Sequence, residues 1–241
     1  MERPFAPSVF HNTFGPHEPV LQVASGDTIV TTTLDARGRD AAGKVVAERG
    51  NPLTGPFYIE GAEPGDTITV RIERVWPNRE YGWTRTVVAA HVVDPTYVPE
   101  LPQDMLARWE VDVAKGTARL AEPQTKLGNP IYPLAPMLGC LGVAPKRHQA
   151  ISSATSAEHG GNMDYRGLVE GATIYFPVFE PGALLFVGDG HAIQGDGEIV
   201  GTGIEISMDV RLTVELLKGV EIGWPRGEDE VAIFTMGNAR P

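Results

Sequence analysis

Cysteine is almost absent from this sequence: Cys140 is the only one among 241 residues. A single thiol excludes an internal disulfide and any metal cluster built from several thiolates. Cys140 lies in the apolar run at 137–143. We therefore interpret it as a buried, inert thiol rather than as a nucleophile.

Basic residues are also scarce, with 20 Lys and Arg against 31 Asp and Glu and a net charge of -11. An acidic surface repels phosphate backbones and anionic lipids, so we expect neither nucleic acid nor membrane as a partner. No apolar stretch approaches the ~20 residues of a membrane-spanning helix, and the N-terminus does not resemble a signal peptide. These features favour a soluble, cytoplasmic protein.

Several well-known catalytic motifs are missing. The sequence contains no Gly-x-Ser-x-Gly elbow, no His-Glu-x-x-His helix, no P-loop and no Cys-x-x-Cys pair. Any chemistry must therefore come from a less familiar arrangement of side chains.

Glycine and proline are frequent, at 28 and 20 residues, and are scattered evenly, which is typical of many short strands. Residues 20–33, 57–72 and 174–187 each read as strand, turn and strand around a central glycine, and they align without gaps. Either an internally duplicated sheet or the chance recurrence of a common turn explains this similarity.

The later part of the chain has clearer periodicity. Residues 203–217 alternate apolar and polar side chains, which predicts a long half-buried strand with Glu205 on its polar face. Residues 110–120 indicate a hairpin that turns at Lys115 and Gly116. Residues 103–109 form the only convincing helical turn. We predict a mainly β fold, a sandwich with little helix, as one domain over 1–241.

One polar segment stands out at 187–198. Asp189, His191, Gln194, Asp196 and Glu198 fall within ten positions and alternate with glycines that allow close approach of a ligand. In an extended chain Asp189 and His191 share one face. Such acids bind a cation or act as a general base. The alternative is an acidic, glycine-rich turn without function.

Three further positions are candidates. The run at 159–164, His-Gly-Gly-Asn-Met-Asp, forms a turn, a backbone nest for an oxyanion or a set of ligands; taken alone, a turn is favoured. Asp35 ends the first strand region, where a lone Asp is ordinarily a cap or turn residue. His91 follows a strand and has no motif, so a structural role is the default.

Taken together, these segments resemble the acetamidase/formamidase family. The resemblance lies in the opening at 19–35, Gly-Pro-Phe-Tyr-Ile-Glu-Gly-Ala-Glu-Pro-Gly-Asp at 55–66, Pro-Met-Leu-Gly-Cys-Leu-Gly-Val-Ala-Pro at 136–145, and the polar runs at 159–164 and 187–198. The segments follow the family's order and span positions from about 19 to 217. Separate motifs in one order are more specific than any one of them.

The resemblance implies a CUB-like β-sandwich, a cytoplasmic homo-oligomer (often a dimer) and hydrolysis of small linear amides such as formamide and acetamide to ammonia and a carboxylate. It also implies a divalent metal, zinc or calcium. Family members commonly continue into C-terminal helices, whereas this sequence stops at Ala239, Arg240 and Pro241. We therefore expect the family's helical tail to be missing.

The resemblance also implies roles for individual residues. The expected catalytic residues are Asp164, Asp196 and Glu198; the expected substrate or oxyanion groups are Gly160, Gly161, Asn162 and Gln194; the expected metal ligands are Asp35, His91, His191 and Glu198. In this hypothesis the metal lowers the pKa of a bound water, and Asp196 or Glu198 carries the proton to the leaving amine.

Three other functions stay open. The chain hydrolyses another amide or a formylated amine, or it is a β module that binds a metal or ligand without catalysis. A structural interaction protein is the third. Ammonia release, measured against stoichiometric binding, discriminates the enzyme from the other two.

Overall fold

The computed structural model describes residues 1–126 and 128–237. The prediction that the family's helical tail is missing concerns the end of the sequence at Ala239, Arg240 and Pro241, which lies outside the described residues. The described strands are β1 (Glu2–Pro4), β2 (Thr13–Phe14), β3 (Leu21–Val23), β4 (Thr28–Thr32), β5 (Thr54–Ile59), β6 (Thr67–Pro77), β7 (Tyr81–Arg85), β8 (Leu106–Asp112), β9 (Thr117–Glu122), β10 (Ile131–Pro133), β11 (Met137–Gly142), β12 (Ile151–Ser152), β13 (Ser156–Ala157), β14 (Gly160–Asn162), β15 (Thr173–Pro177), β16 (Leu185–His191), β17 (Met208–Leu217), β18 (Arg226–Glu228) and β19 (Ile233–Thr235).

The helical content of the described residues consists of three 3-10 turns at Ala90–Val92, Val98–Glu100 and Asp196–Glu198. The predicted mainly β fold with little helix is therefore confirmed. None of the helices in the described part of the chain is long and apolar enough to span a membrane.

The strands form two large sheets and two small ones. The larger sheets have the orders β1-β4-β17-β6-β15-β18-β19 and β13-β14-β11-β16-β5-β3. The smaller sheets have the orders β10-β9-β8-β7 and β12-β2. One apolar core joins residues of both large sheets, including Val70 and Leu212 of the first and Leu138 and Val187 of the second. This is the arrangement of a sandwich, in which the inner faces of two sheets exclude water.

The three β-turn-β segments each connect the two large sheets. β3 and β5 belong to the six-stranded sheet, and the strands that follow them, β4 and β6, belong to the seven-stranded sheet. β15 and β16 make the same connection in the opposite direction. Gly26, Gly65 and Gly182 have φ values of +87°, +94° and +75°, which only glycine adopts readily. The turns are therefore equivalent, while the duplication of the sheet stays a prediction.

Of the two local predictions for residues 103–120, one is confirmed and one is wrong. The hairpin at Lys115 and Gly116 is confirmed, because β8 and β9 pair on either side of it. The helical turn at 103–109 is wrong, since β8 begins at Leu106 and pairs with both β7 and β9. Ala107 and Val111 of β8 are buried, and this packing outweighs a weak local helical preference.

Candidate active site

The polar segment begins at the end of the buried strand β16. This strand pairs with β11 on one side and β5 on the other, so Asp189 and His191 are held in the middle of the six-stranded sheet. After the 3-10 turn Asp196–Glu198 the chain returns, and Glu205 forms backbone bridges with both His191 and Trp83. Residues from the segment and from the chain that follows it therefore converge on the His191 ring.

Three carboxylates face one nitrogen of His191. The distances from Nε2 are 2.9 Å to Glu205 Oε1, 3.7 Å to Asp189 Oδ1 and 3.9 Å to Glu198 Oε1. The His191 ring is fully buried, as are the Asp189 and Glu205 side chains, whereas the Glu198 side chain is 18% exposed. Nε2 nevertheless has no hydrogen-bond partner of suitable direction, despite the short distance to Glu205.

Gln194 fixes the orientation of this ring. Its Nε2 donates a hydrogen bond of 2.6 Å to the main-chain carbonyl of Asp164, so its Oε1 faces His191 Nδ1 at 2.8 Å. Nδ1 must then carry hydrogen and donate. In the neutral ring Nε2 presents its lone pair to the carboxylates, which is the form that binds a metal.

Asp164 and Asp189 approach each other through a small amide network. Asn162 Nδ2 donates to Asp164 Oδ2 at 2.6 Å, and Asn51 Nδ2 donates to Asp189 Oδ2 at 3.1 Å. The thiol of Cys140 donates to Asn162 Oδ1 at 2.9 Å. Oδ1 of each aspartate is buried and has no hydrogen-bond partner, which is rare for a carboxylate unless a ligand completes the site.

Glycines make room for this cluster. A Cβ atom on Gly139 would lie 2.6 Å from both Asp164 Oδ1 and Asp189 Oδ2, and one on Gly203 would lie 2.6 Å from Cγ of His191. Three acids of the cluster have left-handed backbone conformations, with φ of +44° at Asp164, +55° at Asp189 and +43° at Glu198. Such conformations carry strain in residues other than glycine and often mark functional sites.

In this buried site the carboxyl groups outnumber the single imidazole, and their pKa values shift accordingly. Burial raises the pKa of Asp164 to about 8, with a further contribution from the Asp189 carboxylate. Burial likewise raises the pKa of Glu205 to about 8, although His191 opposes this. Burial would lower the pKa of His191, but Glu205 and Asp189 raise it well above its usual value. The cluster therefore favours positive charge at Nε2, either as a proton or as a metal cation.

The donor atoms fit a divalent cation. Asp164, Asp189 and His191 each offer one ligand atom within 4.8 Å of the others, and His191, Glu198 and Glu205 form a second such group. Four buried atoms in these groups lack partners: Asp164 Oδ1, Asp189 Oδ1, His191 Nε2 and Glu205 Oε2. One imidazole with several carboxylates is a donor set that zinc accepts, and carboxylate oxygens also suit calcium.

A family model described as the Acetamidase/Formamidase family matches residues 3–151 and 146–241. The chain belongs to this family. An acetamidase structure from Yersinia enterocolitica superposes with a TM-score of 0.79 and 30% identity, covering 98% of this chain and 74% of that one. The site described above is therefore the candidate active site of an acetamidase/formamidase family member.

Curated relatives of the acetamidase/formamidase family are more distant in sequence. A formamidase from Methylophilus methylotrophus is 28% identical over 260 residues, covering 86% of this chain and 64% of that protein. An acetamidase from Mycolicibacterium smegmatis is 27% identical over 217 residues, covering 69% of this chain and 53% of that protein. The chain thus spans between about half and two thirds of the length of these relatives.

The structure brings together five of the predicted site residues: Asp164, His191 and Glu198, with Asn162 and Gln194 beside them. It separates the others. The Asp196 side chain is 84% exposed and pairs with Arg166 at 3.1 Å. His91 is exposed in the turn Ala90–Val92. Neither belongs to the groups of described residues that can hold a metal.

Gly160 and Gly161 occupy β14 between β11 and β13. A Cβ atom on Gly160 would lie 2.6 Å from the carbonyl oxygen of Leu141, and one on Gly161 would lie 2.4 Å from that of Thr155. Their positive φ values and these close approaches explain why glycine is required. This geometry favours a packing role over the predicted oxyanion role.

Asp35 is fully engaged away from the His191 ring. Its Oδ1 accepts hydrogen bonds from the backbone N–H groups of Arg37 and Arg39, both at 3.0 Å. Its Oδ2 accepts from Arg79 at 2.8 Å and from the indole of Trp83 at 3.1 Å. Trp83 in turn bridges Glu205, so Asp35 supports the site through Trp83 rather than as a ligand in the described metal groups.

Sequence reasoning missed Glu205 and Asn51, and it placed Asp189 in the polar segment at 187–198 without including it among the expected metal ligands or catalytic residues. The alternation places Glu205 on the polar face of a half-buried strand, but Glu205 is 2% exposed and the strand begins only at Met208. Alternation along one segment does not reveal that a second layer covers its polar face. Asn51 lies in a loop between the exposed Gly50 and the buried Pro52, and no sequence pattern distinguishes it.

Proposed function

We propose that this protein hydrolyses the C–N bond of small linear amides, such as formamide and acetamide, to ammonia and a carboxylate. The observation that carries this proposal is the buried His191 ring, whose Nε2 faces three carboxylates in a member of the acetamidase/formamidase family. The names of the relatives, formamidase and acetamidase, support the same substrate class.

We infer that a divalent ion, zinc or calcium, belongs to this site. His191, which belongs to both groups, would hold it with Asp164 and Asp189 of the first group or with Glu205 of the second, and the partnerless buried atoms of these residues support a cation here. A bound divalent ion supplies Lewis-acid chemistry, which polarises a carbonyl and makes water more acidic.

Glu198 is the best placed group for proton transfer. It lines the same cleft as Asp189 and Glu205, and it is the only one of the three carboxylates near His191 Nε2 with appreciable exposure, at 18%. Burial raises the pKa of Glu198. In this scheme Glu198 accepts a proton from the attacking water and returns it to the amide nitrogen, so that ammonia leaves when the C–N bond breaks.

The amide side chains around the cleft hold the reactive groups in place. Asn51 and Asn162 line it and hold the two aspartates through their own Nδ2 groups. Gln194 holds the His191 ring.

We further propose that the protein is a cytoplasmic homo-oligomer, a dimer. Light scattering of the purified protein tests the oligomeric state.

The decisive experiment measures ammonia release from formamide and acetamide, before and after chelator treatment, with zinc or calcium added back. Activity that is lost to the chelator and restored by one ion supports the proposal and identifies the ion. Activity that resists chelation contradicts the metal but keeps the amidase. A folded protein that binds the ion stoichiometrically and releases no ammonia contradicts the hydrolase and supports the binding module.

The variant Glu198→Gln tests the proton carrier separately. Removal of a general acid-base group costs ~100- to 10,000-fold in rate. Because Glu198 is not among the most buried ligands, we expect the variant to retain its metal while losing turnover. Loss of the metal together with activity would reassign Glu198 to the ligand set.

A further inference from the structure

The cleft that leads to His191 changes in character between its buried and its exposed lining. Its volume is about 350 Å³. The buried lining includes the carboxylates of Asp189 and Glu205, whereas the more exposed lining includes Arg37, Arg49 and Arg85. A protein with a net charge of -11 thus places three arginines in the lining of a cleft that contains an acidic site.

Two of these arginines lack an ion-pair partner. Arg85 is paired with Asp104 through a contact of 2.6 Å. Within residues 1–126 and 128–237, no carboxylate oxygen lies close enough to the guanidinium nitrogens of Arg37 or Arg49 (4.0 Å) to form a salt bridge. The Arg37 guanidinium instead lies 5.5 Å from the ring centre of Trp83, another residue of the cleft. Both groups are free to bind an anion in the cleft.

The size of the cleft also indicates a ligand that is larger than acetamide and reaches the arginines. A volume of about 350 Å³ lies within the range of pockets that enclose ligands of drug size. Acetamide is no larger than a few water molecules, each of which takes ~30 Å³ in the liquid. A neutral amide of that size would occupy only the inner part and would make no use of the guanidinium groups.

We propose that Arg37 and Arg49 bind a carboxylate at the end of the substrate remote from the amide. The preferred substrate is then the monoamide of a short dicarboxylic acid, whose acyl chain spans the cleft from His191 to the two arginines. Guanidinium groups pair with carboxylates through two parallel hydrogen bonds, which gives both affinity and orientation. This inference rests on the proposed amidase function for the identity of the reacting group.

The test compares succinamate with butyramide, a neutral amide of similar length, by kcat and KM. For the wild type we expect a higher kcat/KM with succinamate. The variants Arg37→Gln and Arg49→Gln should each lose about 10- to 100-fold with succinamate, mainly through KM, and keep their kcat/KM with butyramide. Arg37→Lys and Arg49→Lys should recover part of the loss, because the charge stays but the paired geometry does not.

Arg39→Gln is the matched control. It removes the same charge from the same loop. Arg37, Arg39 and Arg49 all line a neighbouring depression, but only Arg37 and Arg49 also line the cleft to His191. Its kinetics with both amides should equal those of the wild type. An equal loss in Arg39→Gln, or a parallel loss with butyramide, would show that the arginines only offset the acidic cluster and would overturn the inference.

Calorimetric titration separates this inference from the proposed function. Succinamate should bind the protein, and Arg37→Gln with Arg49→Gln should abolish this binding, whether or not ammonia is released. Arginine-dependent binding without ammonia from either amide would overturn the hydrolase and leave the anion site intact. Ammonia release with no preference for succinamate would support the hydrolase and overturn the carboxylate-binding role of the arginines.

Discussion

His191 and Glu205 contact each other twice: their backbones form a β-bridge, and His191 Nε2 lies 2.9 Å from Glu205 Oε1. Residues that face each other in an antiparallel bridge carry their side chains on the same face, so the main chain itself sets this contact. We expect Glu205→Gln, which keeps the shape and removes the charge, to lower metal affinity and kcat/KM by about 10- to 100-fold or more.

Metal titration followed by kinetics at saturating metal measures this effect of Glu205→Gln. Glu215→Gln is the control, because Glu215 is an exposed residue on β17, the strand that follows Glu205. Wild-type affinity in Glu205→Gln would remove Glu205 from the site.

Removal of the proposed divalent ion should destabilise the folded protein. A ligand that binds only the folded state stabilises it by an amount that grows with the logarithm of the ligand concentration relative to its Kd. Here the ion also neutralises buried carboxylates. We expect a chelator to lower the Tm by several degrees and the right ion to restore it. The variant His191→Ala should not respond to either treatment. A wild-type Tm that is indifferent to chelator would contradict the presence of a structural cation.

Gly139 offers a steric test of the carboxylate pair. Its added Cβ would overlap Asp164 Oδ1 and Asp189 Oδ2, both at 2.6 Å, within a strand that is buried throughout. We expect Gly139→Ala to push the aspartates apart, to lose most metal affinity and to cost about 1–3 kcal/mol of stability. In Gly195→Ala the new Cβ meets nothing within 4 Å, so this variant should resemble the wild type. Metal titration and urea unfolding of both variants measure the difference.

The sequence predicted the strands better than it predicted the site. Gly26 and Gly65 mark turns whose geometry follows from local rules, and those rules hold wherever the turn occurs. Asp164 and His191 were found because glycine-rich polar runs inside apolar strands are unusual. Asp196 belongs to the same kind of run and Asp35 ends a strand region, but only the fold determines that Asp35 accepts hydrogen bonds from Arg79 and that Asp196 reaches solvent.

Asp35 should prove structural, contrary to its expected role as a ligand. The Arg79 guanidinium with which it pairs has only 3% of its side chain exposed, so Asp35→Ala leaves a buried cation without a partner. Breaking such a pair costs ~3–5 kcal/mol. We expect a large loss in the free energy of unfolding, measured in urea. Each folded molecule should still bind its full complement of metal. A folded Asp35→Asn protein that cannot bind metal would restore Asp35 to the ligand set.

Asp66 should control part of the acid sensitivity. Its carboxylate accepts hydrogen bonds from Lys218 Nζ at 2.6 Å and from the backbone N–H of Gly219 at 2.8 Å, which together lower its pKa to about 2. The unfolded chain binds this proton near pH ~4. Because the folded pKa is the lower one, Asp66 stabilises the protein fully above that pH, and the stabilisation is lost as the pH falls towards 2.

The variant Asp66→Asn should therefore be less stable than the wild type at neutral pH, and the difference should shrink between pH ~4 and ~2. Urea midpoints measured in small pH steps give this comparison directly. Glu63→Gln is the matched control, since Glu63 is exposed in the same turn and contacts Asp66 through its backbone N–H and carbonyl, which the substitution leaves in place. A stability difference between wild type and Asp66→Asn that stays constant down to pH 2 would mean that the lost contacts do not depend on the charge of Asp66.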